Sequence, residues 1–298
     1  MPELPEVETI RRDLAERLLG RKITGVNILN DKTALPSAAF LNSQLPGRRV
    51  KAIERRGKLL IVSLVEKRGA PSNLLIHLKM TGQLIYLEGK LKLGGGHSLE
   101  SKGQSSLESA AGGNLPNKYT RVILSFGSAH LYFNDLRKFG YLRLASNEEL
   151  AKLLSNNYGP EPLTPGFTVS ALAAAIKGRS INIKALLLDQ KRVAGLGNIY
   201  VDESLYAAGI RPARRASSLK TKEIEKLHKE IKRIITLAVK KRGTTFSDYV
   251  DSRGRSGNFS NFLKVYGRAG QACSKCQKPI TKIKLAGRGT HYCPSCQH

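Results

Sequence analysis

The apolar positions of the chain change period twice. Val7, Ile10, Leu14 and Leu18 recur at helical spacing, and with Pro5 near the start and Gly20 past the end they predict a helix over 6–19. Glu6 and Glu8 fall in its first turn, where the helix dipole favours anions. From about 22 to 145 the pattern is that of strands. The runs VKAIERRGKLLIVSLV, NLLIHLKMTGQLIYL, TRVILSF and HLYFNDL are rich in Val, Ile, Leu, Tyr and Phe, and Gly127-Ser128 between two of them suits a tight hairpin turn. No helical pattern alternates with these strands, so they predict an antiparallel sandwich or barrel rather than a parallel sheet. Residues 88–118 are Gly/Ser-rich and read as a flexible surface insertion inside a hairpin. Helical periodicity returns from 167. It is clearest over 222–240, where Ile224, Leu227, Ile231, Ile234 and Ala238 form one stripe and Lys/Arg line the rest.

These changes divide the chain into a β-rich part over 2–147, a hinge over 148–166, a helical part over 167–270 and a tail over 271–298. The hinge holds NNYGPEPLTPG, rich in proline and glycine. The class is α+β. A hydrophobic fraction of 41% over 298 residues is enough for a core in each half. Fifty Lys+Arg against 23 Asp+Glu leave a net charge of +27, which predicts a polyanionic partner, nucleic acid above all. No apolar run reaches the ~18–20 residues that span a bilayer, and MPELPEVETI lacks the order of a secretory signal. The expectation is an intracellular protein with no membrane partner.

The tail carries the most specific spacing. Cys273-x2-Cys276 and Cys293-x2-Cys296 are 16 residues apart, the pattern of a tetrahedral four-cysteine zinc site, and four protein ligands make one structural Zn2+ the expected cofactor. A redox dithiol is the alternative reading. Residues 271–298 hold five Lys/Arg and no acid, and Arg288, between two glycines, is either a phosphate ligand or a solvated cation. In VAGLGNIYVDES, Gly195 and Gly197 precede a helix that opens at Asn198, where free N–H groups favour a phosphate. No strand precedes this Gly-x-Gly, so a dinucleotide site fails its context. Pro2 follows the initiator Met. Removal of Met1 would leave a secondary amine with a pKa near ~8, far below the ~10.4 of lysine. Such an amine can form an iminium with an electrophilic carbon, with Glu3 beside it to move protons.

Together MPELPEVET, the GNIY segment and the four-cysteine tail resemble formamidopyrimidine-DNA glycosylases, bacterial repair enzymes for oxidised purines. The resemblance spans nearly the whole chain, with 88–118 unmatched. It implies an N-terminal β-sandwich flanked by helices, a helix-two-turn-helix domain, a zinc-finger hairpin and damaged double-stranded DNA bound between the lobes. It also implies excision of 8-oxoguanine and formamidopyrimidines by a Schiff base on the N-terminal proline, with strand cleavage by β,δ-elimination in base excision repair. Carried onto this sequence, Pro2 is the nucleophile and Glu3 the acid at the sugar. Lys58, His77, Asn198 and Arg288 hold phosphates. Met80, Arg137 and Phe139 fill the gap left by the extruded base. Glu203 lies near the base pocket, and Ser256, Gly257, Asn258 and Phe259 belong to the loop that closes over the base. Read without the family, Met80 is as well a core residue and His77 a satisfied core histidine.

The sequence also departs from the family. Tyr119-Thr120-Arg121 stands where a His-Asp-His stretch is usual, so a DNA contact of that segment is either lost or taken over by Arg121. The capping loop reads Asn-Phe-Ser-Asn where an aromatic followed by Ala-Gln is usual. A monomer in the bacterial cytoplasm, associated with the nucleoid through DNA, is expected. Two rival readings stay open: a sister glycosylase for oxidised pyrimidines, whose opening is usually Pro-Glu-Gly-Pro, and a non-catalytic zinc-ribbon protein that binds nucleic acid.

Overall fold

The computed structural model describes residues 2–65, 68, 70–96, 111–244 and 259–298. Ser256, Gly257, Asn258 and the stretch 97–110 lie outside the described residues. The chain forms two units, Met1–Leu154 with Lys241–Asn258, and Ser155–Lys240 with Phe259–His298.

The first unit opens with α1 (Leu4–Leu18), begun by a proline in its first turn and a capping box, as the spacing predicts. β1 (Gly25–Ile28), β2 (Ala34–Leu35), α2 (Ala38–Gln44), β3 (Val50–Arg56), β4 (Leu59–Leu64) and β5 (Asn73–His77) follow. Then come β6 (Gly82–Glu88), β7 (Leu91–Gly96), β8 (Thr120–Phe126), β9 (Ala129–Asp135), β10 (Tyr141–Ala145) and α3 (Asn147–Asn157). Two five-stranded sheets result, ordered β1-β8-β9-β6-β7 and β2-β10-β5-β4-β3. Apart from the short parallel pair β2–β10, neighbouring strands run antiparallel. One apolar core joins Ile10 and Leu14 of α1 to Leu84, Leu124 and Phe133 of the first sheet and Leu60, Leu74 and Leu142 of the second. Cutting any of these leucines to alanine would cost about 2–5 kcal/mol through lost transfer energy and the cavity left behind. Gly127, with φ +72°, makes the two-residue turn from β8 to β9.

The region read as a flexible insertion over 88–118 is structured at both described ends. Residues 91–96 are an edge strand paired with β6. A Cβ on Gly95 would lie 2.1 Å from Ile10 Cγ1, so the glycine lets α1 close on β7. At the far end Ala111 is buried against Ile85 and Tyr132, and its carbonyl accepts Asn134 Nδ2 at 3.2 Å. The expected hinge is likewise helical in its first part, because α3 occupies 147–157. Residues 241–244 group with the first unit rather than with the helical part.

The second unit holds α4 (Val169–Ile176), α5 (Ile183–Leu188), α6 (Asn198–Ala208), α7 (Thr221–Lys240) and a hairpin of β11 (Thr281–Leu285) and β12 (Arg288–Tyr292). The buried stripe of α7 runs through Ile224, Leu227, Ile231, Ile234, Ile235 and Ala238 and packs on α4 and α6. The N-cap asparagine of α5 accepts Ala185 N–H at 2.8 Å. Gly209, at φ +77°, ends α6 in the left-handed region.

Candidate active site and nucleic-acid contacts

In the first unit, Pro2 and Glu3 are buried where the chain enters α1. Glu3 is the N-cap. Its backbone N–H donates to Glu6 Oε2 at 2.9 Å, which fixes the peptide next to Pro2. The other oxygen of Glu6 accepts from Thr244, backbone N–H at 2.8 Å and hydroxyl at 3.1 Å. Gly243 permits this approach. It has φ +82°, and a Cβ there would sit 2.5 Å from Glu6 Oε1. One turn on, Glu8 receives Arg11, Arg12 and Arg55. Burial pushes the Glu8 carboxyl up, but these arginines outweigh it and hold it at about 2.

Lys58 sits in the two-residue turn between β3 and β4 and is 6% exposed. Strand pairing places Leu59 opposite His77, and His77 opposite Tyr141. His77 Nδ1 accepts Lys79 N–H at 3.0 Å, so the proton of the neutral ring is on Nε2. Burial, with Lys79 and Lys58 nearby, pushes His77 down to about 3. A neutral imidazole with an N–H to offer, flanked by two ammonium groups, suits a phosphate oxygen.

Met80 is half-buried in the turn from β5 to β6, and Arg137 and Phe139 are exposed in the loop from β9 to β10. The Arg137 guanidinium lies 4.7 Å from the Phe139 ring centroid. Asp135, fully buried, joins the two segments. One of its oxygens accepts the Thr81 hydroxyl and Arg137 N–H, the other accepts Gly140 N–H at 2.7 Å. Thr81 Oγ1 accepts Arg137 N–H as well, at 3.0 Å. The structure therefore brings Met80, Arg137 and Phe139 onto adjacent, cross-braced turns. Arg121 does not join them. It is 8% exposed and its Nε donates to the Asp135 carbonyl at 2.9 Å, so the expected DNA contact is instead a support beneath the loop.

In the second unit, α6 opens at Asn198 behind Gly197, a cap residue with no side chain to bond the first turn. Asn198 Nδ2 donates to the Gly289 carbonyl at 2.9 Å, tying that N-terminus to the hairpin on which Arg288 stands exposed. Beneath them Lys184 and Asp202, both fully buried, pair at 2.6 Å, and Asp202 also accepts His291 N–H at 2.8 Å. Burial pushes Asp202 up to about 6 against the pull of Lys184. This pair is scarcely legible in the sequence. Its one signal was a lysine set among the apolar residues of INIKALLL.

Glu203 and Phe259, both expected near the extruded base, line one cavity of the helical unit together with Tyr206 and Phe262. Glu203 is buried and accepts three successive backbone N–H groups, from Lys264, Val265 and Tyr266, at 2.8–3.0 Å. Burial pushes its carboxyl up, and those N–H groups pull it back only in part. It anchors the chain before the hairpin. Phe259, expected in a loop over the base, is 2% exposed and packs 5.6 Å from Tyr200 and 6.0 Å from Phe262, centroid to centroid. Its apolar ring forms part of that cavity wall.

The four cysteine sulfurs all lie within 4.8 Å of one another. Cys276 and Cys293 are 3.5 Å apart, Cys273 and Cys296 3.9 Å. A tetrahedral zinc with Zn–S of about 2.3 Å sets sulfurs about 3.8 Å apart, so the donors fit the ion. Lys275 N–H points to Cys273 Sγ at 3.5 Å, the backbone support a thiolate needs. These residues hold one structural zinc.

Residues 1–142 match the family model of the formamidopyrimidine-DNA glycosylase N-terminal domain, 158–249 that of its H2TH domain, and 270–298 that of the zinc finger found in FPG and IleRS. The chain is 40% identical over 300 residues to the formamidopyrimidine-DNA glycosylase of Desulfitobacterium hafniense, and 42% identical over 306 residues to that of Geobacillus kaustophilus, with 100% of each chain covered. It superposes with a TM-score of 0.83 on the Lactococcus lactis enzyme bound non-covalently to DNA containing an AP site, at 34% identity and 99% coverage of both chains. Agreement of this extent, running from the buried N-terminus to the cysteine hairpin, establishes that the chain belongs to the formamidopyrimidine-DNA glycosylase family.

Proposed function

We propose that this protein is a bifunctional DNA glycosylase and AP lyase that removes oxidised purines from duplex DNA. With Met1 removed, the Pro2 nitrogen attacks C1′ of the damaged nucleotide. The glycosidic bond breaks, and the base leaves with the bonding pair and takes up a proton. The Pro2 nitrogen then gives up its N–H proton, the C1′–O4′ bond breaks with O4′ taking a proton, and the opened sugar is joined to Pro2 as an iminium at C1′. Loss of a C2′ proton expels the 3′ phosphate, and a second elimination expels the 5′ phosphate. Glu3 moves protons at the sugar. Lys58, His77, Asn198 and Arg288 take phosphates, and Met80, Arg137 and Phe139 fill the vacated stack. Glu203 acts on the pocket through the backbone it holds. The zinc keeps Arg288 on a folded hairpin.

The observation that carries this reading is the bond from Glu3 N–H to the buried Glu6 carboxylate, which orders the peptide next to the nucleophile. Among the described residues no helix is long and apolar enough to cross a membrane. We infer a monomer in the bacterial cytoplasm, held at the nucleoid by its DNA affinity. The test is borohydride reduction during turnover on an 8-oxoguanine duplex, followed by peptide mapping. The adduct is expected on residue 2, and Pro2→Gly is expected to weaken trapping. An adduct on another residue, or none on any oxidised duplex, overturns the assignment.

A further inference from the structure

The outer face of α7 is a cationic ridge that the lesion chemistry does not use. Lys222, Lys226, Lys229, Arg233 and Lys240 fall on one side of the helix, all exposed, and point away from the stripe that packs on α4 and α6. At ~1.5 Å per residue they span ~27 Å. A duplex of that length carries about 16 phosphate charges. The carboxylates of the helix lie off this line. Glu223 is taken by Arg214 at 2.5 Å, and Glu230 by Arg233 at 2.7 Å. Glu225 flanks the ridge. Among the described residues, Lys222, Lys226, Lys229 and Lys240 make no ion pair.

A face shaped for solubility alone mixes signs and gains from opposite charges four residues apart. Here Lys222 and Lys226, and Lys229 and Arg233, set like charges at that spacing, while Glu225 and Glu230 answer Lys229 and Lys226 only from the two edges of the line, so the ridge keeps a positive surplus. A polyanion lying along the face neutralises that surplus. α6, whose N-terminus we assign to the lesion strand, packs on the opposite side of α7. DNA on the ridge is therefore a different segment.

We propose that the α7 ridge binds the phosphate backbone of a second, undamaged stretch of duplex DNA, so that the enzyme holds two segments while it searches. The proposal rests on the functional reading above only in that α6 faces the lesion strand. The zinc-loaded full-length protein is first saturated with a short duplex bearing a tetrahydrofuran abasic analogue. A labelled undamaged 20-bp duplex is then titrated between 50 and 200 mM salt. The wild type is expected to bind it. The Lys222→Gln, Lys226→Gln, Lys229→Gln, Lys240→Gln variant is expected to bind at least tenfold more weakly at 50 mM, with a log–log salt slope shallower by about 3.6, at ~0.9 per lost contact. The four Lys→Arg changes should restore both. Single-turnover excision from a short lesion duplex is expected to be the same in all three proteins. No excision in any of them would speak against the functional reading and not the ridge, whereas slower excision in the glutamine variant alone would put the lesion duplex itself on the ridge and overturn the proposal. A filled wild type that takes no second duplex, or a glutamine variant with unchanged affinity and slope, overturns the proposal.

Discussion

Lys184 and Asp202 pair at 2.6 Å with neither side chain reaching solvent. The pair stands under both proposed phosphate ligands of the helical unit, because Lys184 Nζ lies 3.4 Å from the Gly289 carbonyl that Asn198 also holds. Removing one partner leaves a buried charge unmatched. Asp202→Ala or Lys184→Ala is expected to lose about 3–5 kcal/mol in urea unfolding of the zinc-loaded protein, and replacing both by apolar residues to lose much less. A double variant whose loss equals the sum of the two single losses would show that the pair is not coupled.

Thr81 and Asp135 brace the turns that carry Met80, Arg137 and Phe139. Thr81→Val removes a hydroxyl that both donates to Asp135 and accepts from Arg137 N–H. A destabilisation of about 1–2 kcal/mol follows from the groups left unpaired. Loosening the loop should slow lesion excision about tenfold, a barrier change of about 1.4 kcal/mol. Thr81→Ser should retain the wild-type rate. Stopped-flow fluorescence of 2-aminopurine beside the lesion reads the same step, and unchanged flipping in Thr81→Val would refute the role.

The Glu8 carboxyl is depressed to about 2 from an ordinary 4.5. A depressed carboxyl stabilises the fold above its unfolded value, and that contribution is lost as pH falls from about 5 towards 2. Allowing for the solvent around Arg11 and Arg12, Glu8→Gln should remove about 2 kcal/mol at pH 7. It should also flatten the stability curve between pH 5 and 2. Thermal melts across that range test the sign.

Stripping the zinc should unfold the hairpin and abolish tight DNA binding, since ligation and folding of such small modules are one process. The first unit has its own core. Hydrogen exchange should therefore rise in 270–298 and stay slow in the β-sandwich strands.

What the sequence disclosed follows how local each signal is. The cysteine knuckles, the α1 period and the Gly127-Ser128 turn depend on neighbours a few residues away, and all are present. From the sequence Arg121 reads as a DNA contact because its partner, the Asp135 carbonyl, comes from the paired strand. Phe259 looked like a loop residue because Tyr200, which covers it, is remote in sequence. Gly95 looks loose in the sequence when its cause is Ile10 of α1 pressed against it. Tertiary contacts decide these positions, and composition alone does not carry them.

Glu6 ties the first turn of α1 to Thr244, 238 residues further along the chain, with Glu3 N–H on one oxygen and Thr244 on the other. Neither place can drift alone. A substitution that moves the backbone at 243–244 is transmitted through a single carboxylate to the residue beside the attacking nitrogen, so variation at the two sites is constrained to be joint.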